Sequence, residues 1–228
     1  MGQHLNSNLL RNNTYFTSLT KNRFEYIYII GKGGFGKVWK VKDKKTNRIY
    51  ALKEMQKSKV IEKQSVKSVL YEKTLLSNLT HSFIVNMYFS FQDKDNLYLI
   101  MDYLSGGDLR YNLSHYKKQF SEKQAQFFIA CIILALEYIH NKGIIHRDIK
   151  PENLVFDNIG YLRVTDFGIA RMNVNNNSAE TSGTPGYMAP EVIRGLHHTY
   201  TVDYFALGVI AYEIMLGKVR EFLYLIKF

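Results

Sequence analysis

The stretch His146-Arg147-Asp148-Ile149-Lys150-Pro151-Glu152-Asn153 packs a base, cations, acids and a carboxamide into eight residues. These side chains exchange protons and meet anions. Apolar runs on both sides, Ile144-Ile145 and Leu154-Val155-Phe156, predict short strands that hold the polar loop rigid, a common setting for catalytic groups. A second chemical element lies upstream, Gly31-Lys32-Gly33-Gly34-Phe35-Gly36-Lys37-Val38. Its glycines let backbone N–H groups approach a triphosphate without obstruction from Cβ. Dinucleotide-binding folds share the glycine spacing, but there a helix follows the last glycine. Here Val38-Trp39-Lys40-Val41 continues a strand, so the cluster reads as a hairpin turn over phosphates.

Periodicity supplies the elements that must position these groups. Residues 26–30 and 38–41 form the two strands of the hairpin, and 48–53 a third strand that presents Lys53. A helix is expected over 58–79, with Glu72 on a face shared with Val69, Leu75 and Leu76. Apolar strands follow near 87–91 and 97–101. A helix over 122–141 stops at Lys142-Gly143, a conventional C-terminal signal. Another strand, 161–165, leads to a polar, Asn-rich segment at 171–181 that is expected to be mobile.

The chain of 228 residues is long enough for one large domain or two closely packed lobes. Its 46% hydrophobic and 22% charged residues are ordinary for a soluble globular protein. The apolar runs 127–136 and 204–216 fall short of a membrane span, and the second carries Glu213. Residues 1–23 are polar and read as a flexible arm without a signal peptide. Membrane contact is expected only if Gly2 is myristoylated; the acceptor pattern wants Ser or Thr at position 6 and finds Asn6. One acyl chain would in any case anchor only marginally. The single cysteine, Cys131, lies in an apolar run and reads as a buried, inert thiol in a reducing, cytoplasmic compartment. The net charge of +10 resides in residues 1–101, which hold 17 Lys and Arg against 7 Asp and Glu. The lysines are scattered, without an Arg-rich stripe or aromatic ladder. They therefore read as a solvated face with some attraction for phosphate-bearing ligands, and no nucleic-acid partner is expected.

In this order the motifs resemble those of eukaryotic protein kinases of the serine/threonine type, AGC-like (similar to the cyclic-AMP-dependent kinase), over residues 24–217. The resemblance implies an α+β, bilobal fold, with a β-rich N-lobe at 24–101 and a mainly helical C-lobe at 102–228. ATP and Mg²⁺ would lie between the lobes. The C-lobe is expected to be incomplete, because the family continues with further helices, and an AGC-type tail is expected to be missing.

The same resemblance implies the site. Ile30, Gly31, Lys32, Gly33, Gly34, Phe35, Gly36, Lys37 and Val38 would cover the phosphates. Lys53 and Glu72, nineteen residues apart as in AGC kinases, would pair and grip the α- and β-phosphates. Asp102-Tyr103-Leu104-Ser105-Gly106-Gly107-Asp108 resembles the hinge between lobes. The C=O of Asp102 and N–H of Leu104 would bond adenine, Met101 would wall the pocket, and Asp108 would either accept from the ribose or cap the next helix, two compatible roles. Asp148 would accept the substrate hydroxyl's hydrogen, Lys150 would neutralise the γ-phosphate, and Asn153 and Asp166 would hold Mg²⁺. Asp203 reads either as a helix cap or as a brace for the catalytic-loop backbone.

The implied activity is transfer of the ATP γ-phosphate to protein Ser or Thr hydroxyls, because Lys150 and Thr184 are the residues such kinases use. Glu152 and Glu213 match positions that pair with an arginine two residues before the phosphorylated site, and Asp108 adds a carboxylate. An upstream basic preference is therefore expected. Where many AGC kinases carry a phosphorylated Thr this chain has Glu180, expected to face Arg147 with a fixed negative charge; Ser178, Thr181 and Ser182 are alternative phosphosites. The competing class is a kinase-shaped module that binds ATP or a partner without turnover.

Overall fold

A computed structural model of the protein describes residues 19–116, 120–172 and 181–216. The arm before residue 19, with Gly2, lies outside them, as do Ser178, Glu180 and everything after Leu216. Five antiparallel strands form one sheet: β1 (Phe24–Lys32), β2 (Gly36–Asp43), β3 (Ile49–Gln56), β4 (Met87–Gln92) and β5 (Asn96–Asp102), in the order β1-β2-β3-β5-β4. Aromatic and β-branched residues fill six of the nine positions of β1 and three of the six of β4, as a pleated, half-buried surface favours. The register sets Val38 beside Lys53 and Lys53 beside Leu99, which fixes the lysine in the middle of the sheet. Gly31 pairs with Val38 and Lys32 with Lys37, so the glycine cluster is the hairpin turn expected.

Between β3 and β4 lie α1 (Lys57–Glu62) and α2 (Val66–Ser77). The single helix expected over 58–79 is thus broken at Lys63-Gln64-Ser65, where Gln64 has a φ of 50°. The reason is burial. Val60 and Val69 are both buried, yet at about 100° per residue a nine-residue separation puts them on opposite faces of a continuous helix. A break lets both reach the core.

The second lobe contains α3 (Leu109–Tyr116), α4 (Glu122–His140), α5 (Pro190–Ile193) and α6 (Thr201–Leu216). Its two short ribbons pair β6 (Ile144–Ile145) with β9 (Arg171–Met172) and β7 (Leu154–Phe156) with β8 (Leu162–Val164). Helix α4 starts with a capping box: Ser121 Oγ accepts from Gln124 N, and Gln124 Oε1 accepts from Ser121 N at 3.0 Å. Ala125, Phe128, Ile132, Ala135, Leu136 and Ile139 form its buried stripe. Cys131 is also buried there, and desolvation raises its thiol. Helix α6 buries Ala206, Leu207, Ile210 and Ile214 and packs on α4. One continuous core joins the lobes, running from Val69 and Leu76 of α2 through Phe167 to Ile210 of α6. Among the described residues no helix is long and apolar enough to cross a membrane.

A separate cluster, including Phe24, Val41, Tyr50 and Tyr98, lines the outer face of the sheet. It is tied down by the fully buried Asp43, which accepts from Arg23 Nε (2.9 Å) and Nη2 (2.6 Å), Lys45 N and Thr46 Oγ1. The Arg23 hydrogen bonds, opposed by burial, hold the Asp43 carboxyl well below its ordinary value. Because the folded group titrates below the unfolded one, its stabilisation is complete above about pH 4 and is lost as the pH falls toward the lower folded value. Asp43→Asn is expected to lower stability at pH 7 by on the order of 2 kcal/mol. Thermal denaturation between pH 7 and pH 3 should also show a shallower acid-side decline in the variant than in the wild type.

Candidate active site

The glycine turn forms the roof of a cleft of about 350 Å³ lined by residues 33–38 with Lys53, Glu72, Asp148, Asp166 and Gly168. Gly33 and Gly36 exchange backbone hydrogen bonds across the turn, at 2.9 and 3.3 Å. At Gly36 an added Cβ would sit 1.9 Å from the Glu54 carbonyl oxygen, so only glycine lets the hairpin close here. Lys63, at the break between α1 and α2, donates to the Gly34 carbonyl at 3.1 Å and lies 5.7 Å from the centre of the Phe35 ring. That restraint on the turn carried no recognisable sequence signal.

On the cleft wall, Lys53 Nζ donates to Glu72 Oε1 at 2.6 Å. Glu72 is buried on the inner face of α2 with Val69, Leu75 and Leu76. Desolvation alone would lower the Lys53 ammonium, but Glu72 and then Asp166 outweigh it and raise it. Lys53 therefore carries its charge at neutral pH, facing the cleft.

The floor comes from the loop between β6 and β7. Its backbone is held by Asp203, which is buried on the first turn of α6. Asp203 Oδ2 accepts from His146 N (2.9 Å) and meets His140 Nε2 (2.8 Å), while Oδ1 accepts from Arg147 N (2.8 Å). Of the two roles considered for Asp203, bracing the loop is the one these bonds describe. Arg147 has a φ of 69°, the left-handed region that a side chain rarely adopts. His146 is fully buried; its Nδ1 accepts from Asp148 N at 3.3 Å, so Nε2 carries the proton toward the Thr165 carbonyl at 3.1 Å.

These constraints aim Asp148. Its Oδ1 accepts from Thr184 Oγ1 at 2.7 Å, and its Oδ2 meets Lys150 Nζ at 2.7 Å and Asn153 Nδ2 at 3.0 Å. Lys150 also donates to Thr184 at 2.8 Å. The three loop residues thus converge with a threonine 36 residues away from Asp148. Asn153 turns its N–H₂ to Asp148, and its carboxamide oxygen is the atom of that side chain able to meet a cation.

Asp166, with a φ of 62°, follows β8 and projects into the cleft. The adjacent Phe167 is fully buried, edge-on to His146 with ring centres 5.0 Å apart. Thr165 bonds the Asn153 carbonyl through both its N–H and its hydroxyl, which couples this strand to the loop. Among the described residues no group of three His, Cys, Asp or Glu side chains forms a closed metal site. The donors here, one carboxylate and one carboxamide, suit a hard cation that takes its remaining oxygens from phosphates and water. The residues fit Mg²⁺ with a nucleotide.

Other expected residues lie beside this hollow without lining it. Ile30, Gly31 and Lys32 end β1, and Met101 and Asp102 end β5. Leu104 lies in the link to α3. Tyr28 of β1 and Tyr103 of that link share a hydroxyl–hydroxyl bond at 2.9 Å, so the two run side by side. The Asp102 carboxylate is taken up by Asn86 (N at 3.0 Å, Nδ2 at 2.9 Å), Tyr88 Oη (2.7 Å) and Arg163 Nη1 (3.2 Å). Asp108 Oδ1 accepts from Tyr111 N at 2.7 Å and caps α3. The expected contact between Glu180 and Arg147 falls outside the described residues; Arg147 Nε donates to the Ile169 carbonyl.

Arg110, in the first turn of α3, was singled out by nothing in the sequence. Its Nε donates to Glu152 Oε1 at 2.9 Å, its Nη1 to Glu213 Oε1 and its Nη2 to the Tyr187 hydroxyl, which in turn donates to Glu213 Oε2 at 2.7 Å. Burial opposes the charge of the guanidinium, yet the bonds to Glu152 and Glu213 raise it above its ordinary value.

A five-stranded sheet with a glycine hairpin, a paired strand lysine and an acid–lysine–carboxamide loop is the set of parts that protein kinases share. The protein kinase domain family matches residues 24–221, and the chain belongs to that family. Its relatives over most of its length are AGC-type serine/threonine kinases. It is 43% identical over 201 residues to the serine/threonine-protein kinase sgk-1 of Caenorhabditis elegans, covering 87% of this chain and 43% of the relative. It is 40% identical over 201 residues to protein kinase 2 of Dictyostelium discoideum, covering 88% and 42%. Against the cAMP-dependent protein kinase catalytic subunit of the same organism it is 41% identical over 196 residues, covering 85% and 30%. The chain spans less than half the length of these curated relatives.

The brace has a measurable consequence. Asp203→Ala leaves two buried loop N–H groups without an acceptor and should destabilise the protein by about 3 kcal/mol. Hydrogen exchange should show the His146 and Arg147 amides losing protection first; unchanged protection there would contradict the assignment.

Proposed function

We propose that the protein transfers the γ-phosphoryl group of ATP to Ser or Thr hydroxyls of protein substrates. The observation that supports this best is the convergence of Asp148, Lys150, Asn153 and Thr184 beneath the cleft that Lys53 and Asp166 also line. In this reading the acceptor oxygen forms a bond to the γ-phosphorus as the bond to the bridging oxygen of the ADP leaving group breaks. Asp148 orients the hydroxyl and accepts its proton. Lys150 stays beside the developing negative charge, and Lys53, held by Glu72, grips the α- and β-phosphates. The glycine hairpin covers the phosphates with backbone N–H groups. Adenine bonds to the Asp102 carbonyl and Leu104 N–H against Met101 and Ile30, with Asp108 on the ribose. Asn153 and Asp166 would hold Mg²⁺, which when bound neutralises phosphate charge.

The substrate class follows from the charges around the acceptor site. Glu152 and Glu213, with Asp108 as a further carboxylate, support a preference for a basic residue two positions before the acceptor. The buried thiol of Cys131 is in keeping with a reducing, intracellular setting.

Purified protein with ATP and Mg²⁺ should phosphorylate a basic Ser/Thr peptide, and Asp148→Asn should slow this by 10²–10⁴-fold. If neither protein transfers phosphate while ATP still raises the Tm, the cleft serves ATP binding alone.

A further inference from the structure

Lys63 reaches the apex of the glycine turn from the break between α1 and α2. Its Nζ donates to the Gly34 carbonyl at 3.1 Å and lies 5.7 Å from the centre of the Phe35 ring. An exposed lysine often rests on whichever carbonyl is nearest, so the contact alone assigns no role. What distinguishes this one is how firmly the backbone beneath it is held. Lys63 N donates to the Lys59 carbonyl at 3.1 Å, and the Lys63 carbonyl accepts from Ser65 Oγ at 2.9 Å. Ser65 N in turn donates to the Val60 carbonyl at 2.9 Å, closing the left-handed turn at Gln64. Ser65 also lines the cleft, so the break stands beside its roof.

The turn needs such a restraint. Three of the four residues from Gly33 to Gly36 are glycine, whose backbone has the widest conformational freedom. Gly33 and Gly36 bond each other, and the Phe35 carbonyl accepts from Gln56 N at 3.0 Å. The peptide between Gly34 and Phe35 is held through its carbonyl, by Lys63. The N–H of that peptide, on Phe35, has no acceptor among the described residues. The peptide is trans, so its C=O and N–H point in opposite directions. Gly34 and Phe35 line the cleft and Lys63 does not. Turning the carbonyl toward Lys63 therefore turns the N–H away from it, to the side where the cleft lies.

We infer that Lys63 is a positioning residue: by holding the Gly34 carbonyl it sets the plane of the 34–35 peptide and keeps the Phe35 N–H aimed at a phosphate of ATP. The inference rests on the reading above, in which ATP lays its phosphates under the glycine hairpin. Lys63 acts through the turn and touches no phosphate itself. The segment that carries Glu72 to Lys53 thus also sets the roof over the same phosphates. Affinity for the triphosphate depends on Lys63, and affinity for the bare nucleoside does not.

The test measures Kd for ATP with Mg²⁺ and for adenosine by calorimetry. The proteins are the wild type, Lys63→Met, Lys63→Arg and Lys67→Met, each first checked for folding by its Tm. Lys63→Met keeps the length of the stem and removes the donor, Lys63→Arg restores a donor, and Lys67→Met removes an equal charge from an exposed position on α2. Lys63→Met is expected to weaken ATP about fivefold and to leave adenosine unchanged, with ATP affinity regained in Lys63→Arg and undisturbed in Lys67→Met. If Lys63→Met does not fold, Lys63→Gln takes its place with the same expectation. Unchanged ATP affinity in Lys63→Met overturns the inference. So does an equal loss of adenosine, a loss that Lys63→Arg does not recover, or the same loss in Lys67→Met, which would be a general effect of charge. A wild type that binds ATP no more tightly than adenosine would instead overturn the placement of the phosphates under the hairpin, and this inference with it.

Discussion

The carboxylate of Asp203 is the constraint on which the site depends. A buried carboxylate is costly unless its oxygens are occupied, and here they take up the His146 and Arg147 amides and the His140 ring. Those partners come from the loop between β6 and β7 and from the end of α4, so one charge on α6 ties both to that helix. It also offsets the strain of Arg147, whose left-handed backbone costs about 1–3 kcal/mol. With the backbone held at 146 and 147, the next residue, Asp148, has little freedom. Its bonds to Thr184, Lys150 and Asn153 then complete the convergence.

The opposite wall is organised by a second charge pair. Lys53 is placed by sheet register and Glu72 by the inward face of α2, and the two meet at 2.6 Å. The helix break at Gln64 sets the direction of α2 separately from that of α1. It also delivers Lys63 to the Gly34 carbonyl, so the segment that orients Glu72 also restrains the glycine turn. Phe167 and the core between α2 and α6 link the two walls, which makes the cleft a property of the whole packed core.

The charges at the mouth of the site follow a different logic. Glu152 and Glu213 were expected to meet a cation on the substrate, and the fold already gives them one in Arg110. A guanidinium presents several donors in one plane and can bridge two carboxylates and a hydroxyl together. An ammonium would have met them as a point charge. Tyr187 completes the arrangement by accepting from Arg110 and donating to Glu213, leaving the buried acid no bare oxygen.

What the sequence determined by itself was the set of local elements and the order of the chemical groups. The β1–β2 hairpin was legible from β-branched and aromatic runs around a glycine turn, and α4 from its apolar run and its stop at Lys142-Gly143. The spacing of Lys53 and Glu72, and the stretch 146–153, pointed to phosphoryl transfer through their resemblance to protein kinases. Tertiary structure alone decided the break in the helix before Glu72, the restraint of Gly34 by Lys63, the hold of Arg163 on Asp102 and the partners of Arg110. These are choices among many chemically equivalent donors and acceptors far apart in the chain; Arg110 and Glu213 are separated by 103 residues. A charge is visible in sequence, but its partner is settled only when packing brings one candidate within hydrogen-bond reach and excludes water from the rest.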